Sequence, residues 1–150
     1  MQDSPDLLRL LGEIDPRQPY GTVLFGALCR LMPFVSVEAV CLRRRNDIIE
    51  VFLSQRLLNE AAYPGQWHCP GSILRMGETF EDVFGRLERQ EFTCSLLTKR
   101  FVNVWINQQE ARGLAVCLVH LCTMADESSG HGRWYPVDQL PDTIVDCHRD

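Results

Sequence analysis

Long apolar runs are missing from this 150-residue chain: each is broken well short of the roughly 20 residues that span a bilayer. A basic N-terminal segment leading into an apolar stretch is missing as well. The chain opens MQDSPDLLRLLGEIDPRQ, so no export signal is expected. No two cysteines stand at CxxC spacing, which argues against a zinc knuckle or a thioredoxin-type motif. The seven cysteines are scattered, mostly inside apolar runs such as ALCRL and AVCLVHLC, and read as small buried hydrophobes. Reduced thiols without an export signal make the cytoplasm the expected compartment. Basic charge is scarce too. With a net charge of −5 and one dense run, Arg43-Arg44-Arg45, the composition argues against a nucleic-acid partner. That run reads as a solvated strand end. No repeat, low-complexity segment or interdomain linker interrupts the chain, and its 45% hydrophobic content suits one soluble domain.

What is present falls into a readable order. Asp3-Ser4-Pro5 before DLLRLLGEI predicts a capped first helix with an early proline, and residues 19–32 predict a second, rather apolar one. The period then changes. Residues 35–44 and 48–56 are rich in β-branched side chains and flank Asn46-Asp47, which predicts a hairpin. A loop with Pro64-Gly65 follows, then a short strand at Trp67 to Pro70 and a loop over 71–78. A helix is expected from Thr79 to Phe92, with Thr79 as N-cap and Asp82 completing the cap. Residues 99–107 and 113–124 read as two more strands, residues 126–132 as a flexible loop and RWYPVDQL as a short closing element. The fold class is therefore α/β (α+β): a mixed sheet with helices on both faces, preceded by helices.

The stretch CPGSILRMGETFEDVFGRLERQEF holds the candidate chemistry. Pro70-Gly71 and Gly77 permit a tight turn and close backbone approach. Glu78 and Arg86, eight residues apart, can join the loop end to the helix two turns on. The alternative is a pair of solvated surface charges of little consequence. Phe80, Val83, Phe84 and Leu87 recur at helical spacing and read as core.

PG-x(5)-GE-x(7)-R-x(4)-E, with Trp67 before it, resembles the Nudix box of the MutT-like Nudix hydrolases, usually G-x(5)-E-x(7)-R-E-U-x-E-E-x-G-U. VFLSQR, PGQWHCPG and RWYPVDQLP resemble further family elements, so the likeness covers about residues 35–141. It implies a Nudix-like α/β/α sandwich over 35–150, with residues 1–34 as an N-terminal helical extension, and the homodimerisation seen in many such proteins. Glu78 and Arg86 match the loop glutamate and the arginine. The remaining box positions depart: Leu87 replaces the first helix glutamate, Gln90-Glu91 the paired glutamates and Thr93 the last glycine. Glutamates at i, i+3 and i+4 would gather Mg²⁺ or Mn²⁺ on one helix face, and leucine supplies no oxygen. Glu91 alone stays in register, and Glu88 is turned by roughly 100°.

Arg86-Leu87-x-x-x-Glu91 is similar to the altered box of GDP-mannose mannosyl hydrolases, which keep one metal and cleave a sugar C–O bond. That likeness implies fewer Mg²⁺ or Mn²⁺ ions than usual, held by Glu91 and Gly71. It also implies His131 as general base with Glu91, and Arg56 on the phosphate of a nucleoside diphosphate-type substrate. Gly130 and Ile73 stand where those enzymes have glutamine and arginine. Against these roles, His131 also reads as a surface-loop residue and Arg56 as a strand end; His68 lies beside the loop, and strand alternation leaves open whether it faces the site. Three readings follow: a hydrolase of a nucleoside diphosphate derivative, a silent Nudix domain that binds a nucleotide or protein, and an interaction module centred on the N-terminal helices. Glu91, Arg56 and His131 around one cleft would favour the first. A cleft with Arg56 but no convergent metal ligands would favour the second, and a large apolar patch on residues 19–32 the third.

Overall fold

The turn at Asn46-Asp47 sets the first piece of architecture. Both residues take left-handed backbone angles (φ 49° and 63°), the pair a two-residue hairpin turn requires. They join β1 (Phe34–Arg45) to β2 (Ile48–Gln55), with Arg45 opposite Ile48. The expected basic strand end is held in place: Arg43 pairs with Glu50 at 2.6 Å and lies over the Trp134 ring, while Arg44 bonds Asp47 at 2.8 Å. The computed structural model describes residues 4–127 and 130–149. Asp3 of the expected cap and Ser128-Ser129 of the expected loop lie outside them.

β1 is long enough to serve two sheets. Its first part runs parallel to β6 (Ala115–Met124), from Phe34 opposite Ala115 to Cys41 opposite Cys122. On its other side Ser36, Val37 and Glu38 pair with Ile73, Ser72 and Gly71 of β4 (Gly71–Ile73). β5 (Leu96–Asn107) is antiparallel to β6, so this sheet is mixed. β2 leaves β1 to pair with β3 (Trp67–His68) and with β7 (Gly132–Pro136), the expected closing element. Residues 71–73 were expected in a loop. A strand this short has no periodicity of its own, and its backbone bonds are all to β1.

Strand alternation divides β1 cleanly. Val37, Ala39 and Cys41 enter the core against Val83, Phe84 and Leu87 of α3 (Phe80–Leu87), while Ser36 and Glu38 face the other way. α3 begins as expected: the Thr79 side chain accepts from the Asp82 N–H, and Asp82 reaches back to the Thr79 N–H. It does not continue as an α-helix to Phe92. From Glu88 the chain widens into a π-turn (Glu88–Phe92), which ends on Thr93 at φ 53°. Phe92 is thereby buried against Phe52, ring centroids 5.5 Å apart.

Two helices precede the sheet. α2 (Thr22–Leu31) docks through buried Cys29 and through Phe25 against Phe34. Its Cys29 carbonyl lies where any side chain at Gly113 would be, so the approach requires glycine there. α1 (Pro5–Gly12) buries none of its residues. At the other end the Val145 N–H donates to the Trp67 carbonyl at 2.8 Å, and a 3₁₀ turn follows at Asp146–His148.

Candidate functional site

Arg86 organises the loop before α3. Its Nε and Nη2 donate to the two Glu78 oxygens at 2.9 and 2.8 Å, Nη1 to Ser72 Oγ at 2.5 Å, and Nη2 also to the Ile73 carbonyl at 2.7 Å. Glu78 in turn accepts the Arg75 backbone N–H. Burial pushes the Glu78 carboxyl up, but the Arg86 bonds outweigh it and the net shift is downward. The two side chains are thus a partly buried, fully engaged brace between loop and helix.

The rest of the candidate residues gather around a cavity of about 650 Å³ between the two sheets. Glu91, Arg56, Gly71 and His131 all line it, and so do Glu38, His68 and His148. His131 and Gln90 are exposed and mark its rim. The backbone N–H of His131 donates to the Glu91 carbonyl at 3.1 Å. Arg56 is committed elsewhere: its guanidinium pairs with Glu60 and its Nε donates to the Ala62 carbonyl at 2.8 Å.

Glu38 faces the cavity because it alternates with Val37 and Ala39 of the core. Ser36 Oγ donates to its Oε1 at 2.7 Å. A Cβ at position 71 would collide with its Oε2, so Gly71 leaves the room that this carboxyl occupies. Burial lifts Glu38 to about 7, with the Ser36 hydroxyl pulling partly back. Glu91 is lifted to about 7 as well, first by burial and further by the charge of Glu38, against the pull of Ser54 and Arg56. Its Oε2 is sealed from solvent and has no hydrogen-bond partner.

His68 Nε2 lies 3.5 Å from that oxygen. Burial, with Arg56 and His148 adding, lowers His68 to about 3, so the imidazole is neutral and the contact is not an ion pair. Strand alternation left the direction of His68 open; it is buried in the cavity wall, its strand pairing through Ser54 of β2. His148 accepts the Cys69 backbone N–H on Nδ1 at 2.9 Å, which leaves Nε2 carrying the proton. Burial lowers it to about 4. Burial also pushes the neighbouring Cys69 and Cys147 thiols up to about 12 and about 11, so neither is a thiolate nucleophile.

The donor set does not fit the expected divalent cation. Leu87 is core, and Glu88 accepts the Leu96 N–H at 2.8 Å and pairs with Lys99 at 3.3 Å. Glu78 is held by Arg86. Among the described residues no three His, Cys, Asp or Glu side chains converge as a metal site. Mg²⁺ and Mn²⁺ want several hard oxygens, and Glu91 offers one carboxyl raised toward neutrality. Glu38 and His148 carried no motif signal; only the alternation in VSVEAV could have separated Glu38 from the core positions.

No family model matches the sequence, and no curated protein does. Solved structures do match. A MutT NUDIX hydrolase from Burkholderia pseudomallei superposes with a TM-score of 0.61 at 20% identity, over 79% of this chain and 94% of that one. The NUDIX domain of Shewanella oneidensis NrtR, complexed with ADP ribose, gives 0.62 at 19% identity over 94% and 90%. NrtR complexed with a 27mer DNA gives 0.60 at 19% identity over 77% of this chain, which spans 57% of that one. At these identities the likeness concerns the fold. The chain has the fold of the Nudix hydrolases.

Proposed function

We propose that this chain is a Nudix-fold binding domain for a nucleoside diphosphate-type ligand, without divalent-metal hydrolysis. The observation that carries the reading is the helix end: Glu91 is its one carboxyl at the cavity, while Leu87 packs in the core and Glu88 is tied to Leu96 and Lys99. The Arg86–Glu78 brace shapes the loop whatever chemistry the cavity performs. The cocrystal structure of the NrtR NUDIX domain with ADP ribose supports a ligand of this class. Its charged part belongs toward the rim, at Gln90 and His131, away from the buried carboxyls.

The test is a panel of ADP-ribose, nucleoside diphosphate sugars and nucleoside triphosphates with Mg²⁺ or Mn²⁺. Binding is read by calorimetry, turnover by release of phosphate species and sugar. At least one member is expected to bind without being cleaved, and either metal alone is expected to leave Tm unchanged. Metal-dependent turnover that disappears in Glu91→Gln would overturn the reading. One observation favours a second reading, a hydrolase attacking at sugar carbon: Glu91 and His131 share the cavity and a backbone hydrogen bond. Release of sugar with intact nucleoside diphosphate would identify it.

A further inference from the structure

β5 stands last in the strand order β3–β2–β1–β6–β5, so among the described residues one of its edges has no neighbouring strand. Which groups lie on that edge follows from the register. The Leu114 carbonyl, just before β6, accepts the Phe34 N–H at 3.0 Å and so faces β1. Backbone direction alternates along a strand, so Val116 and Leu118 also face β1, while Ala115 and Cys117 face β5. Opposite these two stand Asn107 and Trp105. Val104 and Ile106 therefore turn their N–H and C=O groups outward. An independent contact agrees: the Val104 N–H donates to the Asn103 side-chain Oδ1 at 2.9 Å.

An open edge invites another strand unless something blunts it. The first half of β5 is blunted twice, by Lys99-Arg100 and by the register shift between Phe101 and Asn103. The second half, 103–107, is regular and carries no charge. Its guard is the Asn103 amide over the Val104 N–H. Phe101, Val104 and Ile106 stand opposite His120, Leu118 and Val116, so they share one face of the sheet, and all three are exposed.

This segment is complementary to itself. Two copies laid antiparallel about Trp105 set Val104 opposite the partner's Ile106, and each outward N–H and C=O meets its counterpart. Apolar side chains then meet apolar ones. Lys99 and Arg100 fall toward the partner's Gln108, Gln109 and Glu110 rather than toward their own counterparts, so like charges stay apart. A contact identical on both sides closes as a dimer and leaves neither edge open. A foreign strand would have to bring that match, whereas a second copy already has it.

We infer that a second copy of this chain docks on the free edge of β5, antiparallel about Trp105, and extends the sheet across a twofold axis. The Asn103 amide competes with that pairing for the Val104 N–H. Trp105 lines the cavity, so the axis brings the two cavities to either side of one strand pair, whatever ligand they take.

The test is sedimentation equilibrium of the full chain from low to high micromolar concentration, with the mass expected to rise from one chain to two. Ile106→Pro removes an outward donor and keeps the bonds to β6, since proline is tolerated at an edge whose N–H faces solvent. Association should weaken by about tenfold or more, with the far-UV CD spectrum unchanged. Val104→Lys adds a charge of the kind that blunts edges and should do the same; it decides the matter if the proline variant does not fold. Asn103→Ala uncovers the Val104 N–H and should strengthen association by roughly two- to tenfold, a gain that loss of a structural contact would not give. In amide exchange followed by NMR, Val104 and Ile106 should become protected as concentration rises, while Trp105 and Asn107, already bonded to β6, stay as they are. A chain that remains monomeric throughout, or a dimer equally strong in Ile106→Pro and Val104→Lys, would overturn the inference.

Discussion

Glu78 and Glu91 sit at opposite ends of one loop–helix segment and have opposite fates. Glu78 is held on both oxygens by Arg86 and accepts a backbone N–H, so its carboxyl stays ionised and its pKa falls. Glu91 is also shielded from solvent, yet one oxygen has no partner and its pKa rises to about 7. Partners and depth both separate them: desolvation is outweighed by Arg86 at Glu78, and at Glu91, deeper in the protein, it is left standing. It teaches that the segment is two devices. The Arg86 end fixes the shape of the fold. The Glu91 end keeps an unsatisfied group, which costs stability and is useful only toward something that enters the cavity.

The largest expected effect breaks the first device. Arg86→Ala leaves Glu78 without its counter-charge and removes the bonds to Ser72 and Ile73. It should cost roughly 3–5 kcal/mol in urea unfolding, as loss of one member of a buried pair does. A cost below about 1 kcal/mol would show that the brace behaves as a surface pair.

The second prediction sharpens the contrast through pH. Glu38 and Glu91 hold their protons more tightly when folded, so their contribution falls as pH rises from about 4.5 to about 7. His68 and His148 act in the opposite sense. Their folded values near 3 and 4, against 6.5 unfolded, make stability climb with pH up to about 6.5. Between pH 5 and 6.5 the two pairs oppose each other, and the profile should be nearly flat there. In the double variant Glu38→Gln/Glu91→Gln the histidines act alone. Its stability should rise across that window, with a slope reaching roughly 1.4 kcal/mol per pH unit for each proton. At pH 8 it should exceed the unaltered chain by on the order of 3 kcal/mol for each carboxyl replaced. A parallel pH profile for variant and parent would remove the carboxyl pair from the account.

The smallest effect serves as a control on the helix itself. Thr79→Ala removes the N-cap, and should cost about 1 kcal/mol without changing ligand affinity, since the cap is remote from Glu91. An accompanying loss of affinity would mean that the two ends of the segment are coupled after all.

Much of this arrangement is legible along the chain. The hairpin is, because Asn46-Asp47 tolerate left-handed angles between β-branched runs. The helix cap and the Glu78–Arg86 spacing are local too. What escapes reading depends on distant partners. β4 exists only because β1 offers it an edge, and the π-turn arises where Phe92 must reach Phe52. In VSVEAV, Glu38 reads as the solvent side of an alternating strand, yet that side faces a cavity closed by β2, β3 and the C-terminal turn. His148 comes from a segment with no periodicity at all.

The parallel pairing of β1 with β6 has a consequence for how the protein is made. The β1–β2 hairpin needs contacts only a few residues apart and can close in microseconds. Residues 34–41, however, cannot find their parallel partners until residue 122 has been synthesised. Contacts of such long sequence separation slow folding. The cavity wall is therefore among the last parts to form, and a chain ending before β6 would leave the ribosome with the backbone N–H and C=O groups of that edge of β1 unpaired, a substrate for chaperones rather than for ligands.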